Sequence, residues 1–199
     1  MSQRLNIAAV ILAGGRATRM GGRDKGLLML AGRPMLAHVI ARLSPQIGDM
    51  ALNANGNPER FANFNLPVLP DPIAGFPGPL AGVLAGMKWA ASLGHDALVT
   101  VAADTPFLPD DLVDKLVAEP FAIAASLDDE GRLRQHPTVG LWPLSLREKL
   151  QRDLELGERK VGRWAAENGA KPVSFAQQPD PFFNVNTPLD LQLAEDRLG

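Results

Sequence analysis

With 199 residues the chain has the length of one ordinary α/β domain or two small ones, and 46% hydrophobic against 21% charged residues is a globular balance that supports an independent core. A formal net charge of -2 gives no basic field for nucleic acid, and the lack of cysteine removes disulfides, thiolate catalysis and Cys-ligated zinc. No run of about 18 apolar residues predicts a membrane span, and the short run Ile7–Ala13 reads as a buried strand, not an export signal.

Leu5–Leu12 is a continuous apolar, β-branched run, the pattern of a strand buried on both faces. Residues 13–26, rich in Gly and Arg, fit no regular element. Pro34 opens a helical pattern carried by Met35, Leu36, Val39, Ile40 and Leu43. Asp49–Asn53 and Leu66–Leu69 read as short strands. Residues 70–79 hold four prolines and two glycines and read as a loop. A helix is expected over Leu80–Leu93, a strand over Ala97–Ala102, and a helix from Pro109 through Val117. Phe121–Ser126 and Thr138–Trp142 read as strands, with a polar turn at residues 128–131. Leu144–Leu156 and Val161–Asn168 read as helices and Pro172–Phe175 as a short strand. Asn186 or Thr187 caps a last helix that Pro188 begins and that runs to about Arg197. Strands alternate with helices over the first 120 residues, which predicts a mostly parallel sheet with helices on both faces in one domain.

The first strand runs into a loop holding Gly14, Gly15, Gly21 and Gly22, with four cations, Arg16, Arg19, Arg23 and Lys25, inside ten residues. Ligands of open α/β sheets bind beyond the carboxyl ends of strands. Glycines let backbone N–H groups approach a ligand, and clustered Arg and Lys suit a polyphosphate. Two familiar nucleotide loops are excluded. No Gly-Lys pair occurs anywhere, so there is no P-loop, and the loop lacks Gly-x-Gly-x-x-Gly.

Leu12–Lys25 resembles the signature loop of nucleotidyltransferases of the sugar-nucleotide pyrophosphorylase superfamily. Its form, Leu-Ala-Gly-Gly followed by Arg-Met-Gly and Asp-Lys, resembles the molybdenum cofactor guanylyltransferases. Members often carry Ser where this chain has Ala17; Thr18 still offers a hydroxyl nearby. The resemblance implies a three-layer, Rossmann-like nucleotidyltransferase fold. It also implies triphosphate binding by Leu12, Ala13, Gly14, Gly15, Arg19, Gly22 and Lys25.

Asp104 follows the strand Ala97–Ala102, where a carboxylate points into the ligand crevice. By position it suits Mg²⁺ held jointly with substrate phosphates, or else an Asx cap of the following turn. The resemblance implies the metal role. Asn53 and Asp71 end strands, and turn chemistry accounts for either; the resemblance places them on the guanine nucleotide. A carboxylate there accepts from the N1–H and exocyclic amine of guanine. Gly78–Gly82 reads as a helix N-terminus aimed at the ligand, and a close helix-to-strand contact needing small residues can hold at the same time; the resemblance places Gly82 on GTP. Relatives that use guanine carry this Pro-Leu-Ala-Gly element, and relatives that use cytidine differ in it. His136 in His-Pro-Thr, with Asn184 and Asn186 in Phe-Asn-Val-Asn-Thr-Pro, resembles the family's acceptor side. Arg132 and Arg134 flank the turn before His136 and either meet an acidic acceptor or belong to a solvated hairpin. His38 and His95 stand alone, and no two of the three histidines have metal-ligand spacing.

The resemblance therefore implies transfer of GMP from GTP to the terminal phosphate of molybdopterin, with Lys25, Arg19 and Asp104 catalytic, Mg²⁺ as cofactor, and pyrophosphate leaving. It implies a cytoplasmic enzyme that docks transiently with cofactor biosynthesis proteins and with molybdoenzymes or their chaperones. Two alternatives stand beside it: a cytidylyl- or other nucleotidyltransferase acting on a pterin or sugar phosphate, and a non-catalytic GTP-binding sensor.

Overall fold

A computed structural model describes residues 5–14, 24–73, 75, 78–128 and 130–199. Its centre is β1 (Ile7–Leu12), paired in parallel with β4 (Asp49–Asn53) on one side and β6 (Ala97–Ala102) on the other. β5 (Val68–Leu69) extends the β4 side. Beyond β6 lie β8 (Leu133–Pro143), β7 (Ala122–Leu127) and β9 (Lys171–Phe175), giving the order β5-β4-β1-β6-β8-β7-β9. Only β8 runs against the rest of this sheet. A separate two-stranded ribbon joins β2 (Met29–Leu30) to β3 (Arg33–Pro34). These runs of two residues are too short to show an alternation in the sequence.

Alternate residues of β1 feed opposite layers, as strand geometry requires. Ala9 and Ile11 pack with α1 (Met35–Leu43) and α3 (Leu112–Leu116), while Ala8 and Val10 pack with α2 (Pro79–Ser92) and two later helices, α4 (Arg147–Glu155) and α5 (Val161–Glu167). The strand β6 is buried throughout. Its one polar side chain, Thr100, accepts a 2.8 Å hydrogen bond from Trp142 Nε1, which removes the penalty of burying it. The last helix, α6 (Pro188–Asp196), is capped by Thr187, whose Oγ1 accepts from Asp190 N–H while Asp190 Oδ2 accepts from Thr187 N–H.

Three elements depart from the sequence expectation. α3 begins at Leu112, not Pro109, because the Pro109 carbonyl is taken by Gln46 Nε2 and the turn to Leu112. β8 begins five residues before the polar-to-apolar pattern suggested, at Leu133, since its first half forms a hairpin arm exposed to water. The ladder between β7 and β8 then slips, with Ile123 opposite Gly140 but Ala124 opposite His136. Pro137 lies in the slipped segment and has no N–H for a ladder. A 3-10 helix, Pro58–Phe64, also fills a stretch with no apolar period, capped by Asn57.

Candidate active site at the carboxyl edge of the sheet

The chain leaves β4 to one side of β1 and returns through α2 to β6 on the other. Such a reversal opens a crevice at the carboxyl ends of the two central strands. A cavity of about 380 Å³ lies there, lined by Ala13 and Gly14 after β1 and by Asp104 after β6. The first turn of α2 closes one wall. Gly78, its N-cap, has φ 155°, a conformation glycine tolerates best, and Pro79 takes the first helical position. The N-terminus of a 14-residue helix thus opens onto the cavity, a favourable place for negative charge.

Lys25 stands at the start of a 3-10 helix, Lys25–Leu27, and reaches across to β6. Its Nζ lies 3.1 Å from Asp104 Oδ2 and donates to Asn186 Oδ1, and both ion-pair side chains are under one-fifth exposed (19% and 17%). Asn184 Nδ2 donates to the other Asp104 oxygen at 3.1 Å, and Val185 N–H donates to the Asp104 carbonyl at 2.9 Å. The C-terminal segment is therefore laid along the exit of β6 and completes the site. Asp190 stands behind it, accepting from Asn186 N–H at 2.9 Å. Burial pushes the Asp190 carboxyl up, but hydrogen bonds from Asn186 and Thr187 and the Lys25 charge outweigh burial and hold it below the usual range. Among the described residues the Asp104 carboxylate accepts from no backbone N–H, so it is not an Asx cap.

On the opposite side, Asn53 Nδ2 donates to Asp71 Oδ1 at 2.9 Å and Asn55 Nδ2 donates to Asp71 Oδ2 at 2.7 Å. Asn53 and Asp71 are singled out in the sequence but Asn55 is not, and its signal is its spacing: residues 53 and 55 share one side of a chain leaving a strand. Gly82 lies beneath this cluster and does not line the cavity. A Cβ on it would fall 2.2 Å from Asn53 Oδ1 and 2.8 Å from Leu12 Cδ2, so its role is the close helix-to-strand contact. Gly15, Arg19 and Gly22, together with Arg16 and Arg23, lie outside the described residues.

His136 is buried and packs against Phe182 in a tilted pair with ring centroids 4.7 Å apart, with Nε2 2.8 Å from Ser126 Oγ. Burial lowers its pKa to about 4, outweighing the nearby Asp180, so the ring is neutral at physiological pH. It borders a second, 250 Å³ cavity that shares Thr138 and Asn184 with the first and has Arg134 on its rim. Arg132 is instead bound to Asp128 and Glu130 on the hairpin. His38 and His95 serve the scaffold, contacting the Leu30 carbonyl and Asp49 respectively. Among the described residues no three His, Cys, Asp or Glu side chains form a metal cluster. A single carboxylate with open space beside it suits only a cation that brings phosphate and water ligands of its own.

A family model described as a MobA-like NTP transferase domain matches residues 9–172. A protein of Acidiphilium cryptum named molybdenum cofactor guanylyltransferase is 50% identical over 191 residues, spanning 96% of this chain and 94% of that one. The chain belongs to the MobA-like family of molybdenum cofactor guanylyltransferases. A second member, from Rhodopseudomonas palustris strain BisB5, carries the same name and is 51% identical over 197 residues, 94% of this chain and 91% of that one. Among solved structures, molybdopterin-guanine dinucleotide biosynthesis protein A from Archaeoglobus fulgidus superposes with a TM-score of 0.72 at 23% identity, covering 96% of this chain and 98% of that one. At that identity the likeness speaks for the fold, and the fold of this family member is the expected mostly parallel nucleotidyltransferase sheet.

Proposed function

We propose that this family member transfers GMP from GTP to the terminal phosphate of molybdopterin in the cytoplasm, releasing pyrophosphate. The observation that carries the reading is one crevice holding the Lys25–Asp104 pair at one end and the Asp71 carboxylate at the other. The triphosphate lies along the loop after β1 and the N-terminus of α2, and Lys25, with Arg19, neutralises the leaving pyrophosphate. Asp71 accepts from N1–H and the exocyclic amine of guanine. An ionised phosphate nucleophile needs no general base, which agrees with a His136 ring that is neutral and already bonded to Ser126. Catalysis then rests on positioning and charge stabilisation.

Asp104 would hold Mg²⁺ together with oxygens of the nucleotide, and the ion, when bound, would polarise the α-phosphate. The second cavity takes the acceptor, with Asn184 on the wall it shares with the donor and Asn186 lining the acceptor side. His136 shapes that cavity and contributes no proton. Transient docking with cofactor biosynthesis proteins and with molybdoenzymes or their chaperones follows from a carrier-fed acceptor.

Pyrophosphate release from the purified protein with molybdopterin and Mg²⁺, compared among GTP, CTP, ATP and UTP, tests the donor. Release with GTP alone is expected. Release with CTP would make the protein a cytidylyltransferase, and tight GTP binding without release would make it a sensor.

A further inference from the structure

We infer that Asn55 fixes the nucleobase choice of the donor site by clamping Asp71 in a single, acceptor-only orientation, an inference that rests on Asp71 being the group that meets the base. Asn55 and Asp71 are joined twice. Asn55 Nδ2 donates to Asp71 Oδ2 at 2.7 Å, and Asp71 N–H donates back to Asn55 Oδ1 at 2.8 Å. The pair of bonds fixes which end of the Asn55 amide faces the carboxylate. Asn53 Nδ2 donates to the other oxygen at 2.9 Å and is itself held by the Leu69 carbonyl at 3.1 Å. Asp71 therefore receives an amide N–H at each oxygen, and its rotamer is set from both flanks.

Two amide donors favour a carboxylate between them, because an amide in its place would turn a donor toward one of them. Asp71 lines the same cavity as Asn55, so its remaining lone pairs are the acceptors a base would meet there. A base edge meeting two fixed acceptors must supply two adjacent donors. Guanine does so with N1–H and the 2-amine, while adenine N1 and cytosine N3 are acceptors and would face the carboxylate with like charge density. Hypoxanthine keeps N1–H and lacks the amine, so ITP isolates one of the two bonds.

Asn55 is anchored in turn. Its carbonyl accepts from Arg60 Nη2 at 2.6 Å, and Arg60 Nε pairs with Asp24 Oδ2 at 2.5 Å. Asp24 directly precedes Lys25, so one guanidinium ties the base-side loop to the segment that carries the phosphate-side lysine. Asn55 is a positioning residue, exposed at the rim, and its removal leaves no void in the core.

The test is the ratio of Kd values for GTP and ITP, measured by calorimetric titration with Mg²⁺ on the intact protein and on Asn55→Ala, Asn55→Asp and Asp71→Asn. Asn55→Asp keeps the shape and the acceptor for Asp71 N–H while replacing the donor with a like charge. The wild type is expected to favour GTP by about tenfold to a hundredfold, the size of one hydrogen bond to a charged group. Both Asn55 variants should lose most of that preference. A purely structural Asn55 would weaken GTP and ITP equally and leave the ratio unchanged. If Asp71→Asn abolishes the preference and the Asn55 variants keep it, the inference about Asn55 fails while the reading of Asp71 stands. If Asp71→Asn itself keeps the wild-type preference, Asp71 does not read the base and both fall.

Discussion

On the proposed mechanism the chemistry turns on Asp104, whose two oxygens are both held, one of them by Lys25. Replacing it with alanine removes a preorganised charge and leaves the Lys25 ammonium without its anionic partner. Turnover is expected to fall by about 10²–10³-fold or more, the cost of losing one such stabiliser. Pyrophosphate release at saturating GTP and Mg²⁺ measures it, and near-normal turnover would remove Asp104 from the mechanism. His136 makes the opposite case. Its pKa is lowered to about 4 by burial, so the native state resists a proton that the unfolded chain accepts near 6.5. Stability from this residue is complete above pH 6.5 and declines as pH falls toward 4, a loss on the order of 3 kcal/mol across the window. His136→Phe keeps an aromatic ring against Phe182 and should flatten the acid side of the stability curve, read as urea midpoints between pH 4 and 7. An acid limb in activity near pH 6.5 that disappears in this variant would instead make the ring a proton donor or acceptor.

At the scale of elements, α2 is bound to the sheet through two glycines one turn apart. A Cβ on Gly86 would lie 2.7 Å from Leu98 Cδ2 and 2.8 Å from Val10 Cγ2, and one on Gly82 would displace Asn53. Both alanine variants should be destabilised by about 1–3 kcal/mol, as for other overpacked sites. They should separate in binding: Gly82→Ala raises the Kd for GTP because Asn53 holds Asp71, while Gly86→Ala leaves it near the wild-type value. Equal effects on GTP would mean that Gly82 supports the sheet alone. The cap of α6 is a second joint, since Asp190 binds both Thr187 N–H and Asn186 N–H. Asp190→Ala should cost about 1 kcal/mol in chemical denaturation, the size of a lost cap. It should also lower kcat/KM, because Asn186 then no longer steadies Lys25.

Elements also show where the sequence was readable. β1 and β6 were plain because strands buried on both faces leave unbroken apolar runs with turn residues at their ends. The helix start at Pro188 was plain because proline and its capping residue mark it chemically, and α2 begins at Pro79, one residue before the expected Leu80. The β7–β8 slip was not, because no local pattern states which partner a residue will face, and Pro137 signals only that a ladder bond is missing. Asn55 was overlooked for a related reason. An Asn next to Gly56 reads as turn chemistry until the chain brings Asp71 beside it.

Across the whole molecule, the site is assembled from the two ends of the chain. Lys25 and Asp104 belong to the parallel half, while Asn184 and Asn186 return over β6 from the C-terminal segment. The motifs that carry these residues were each visible in the sequence, yet only the fold brings Lys25 and Asn186, 161 positions apart, into hydrogen-bond contact. On the proposed reading, such a crevice would hold the nucleotide's α-phosphorus between a leaving group on the Lys25 side and an acceptor in the adjoining cavity. The most direct test is the fate of labelled phosphorus in a reaction with molybdopterin and GTP carrying the label at either the α- or the γ-position. The account predicts that α-label passes into the pterin product and γ-label leaves as pyrophosphate. Transfer of γ-label to the pterin, or release of α-label as free GMP with the pterin unlabelled, would contradict guanylyl transfer at this site.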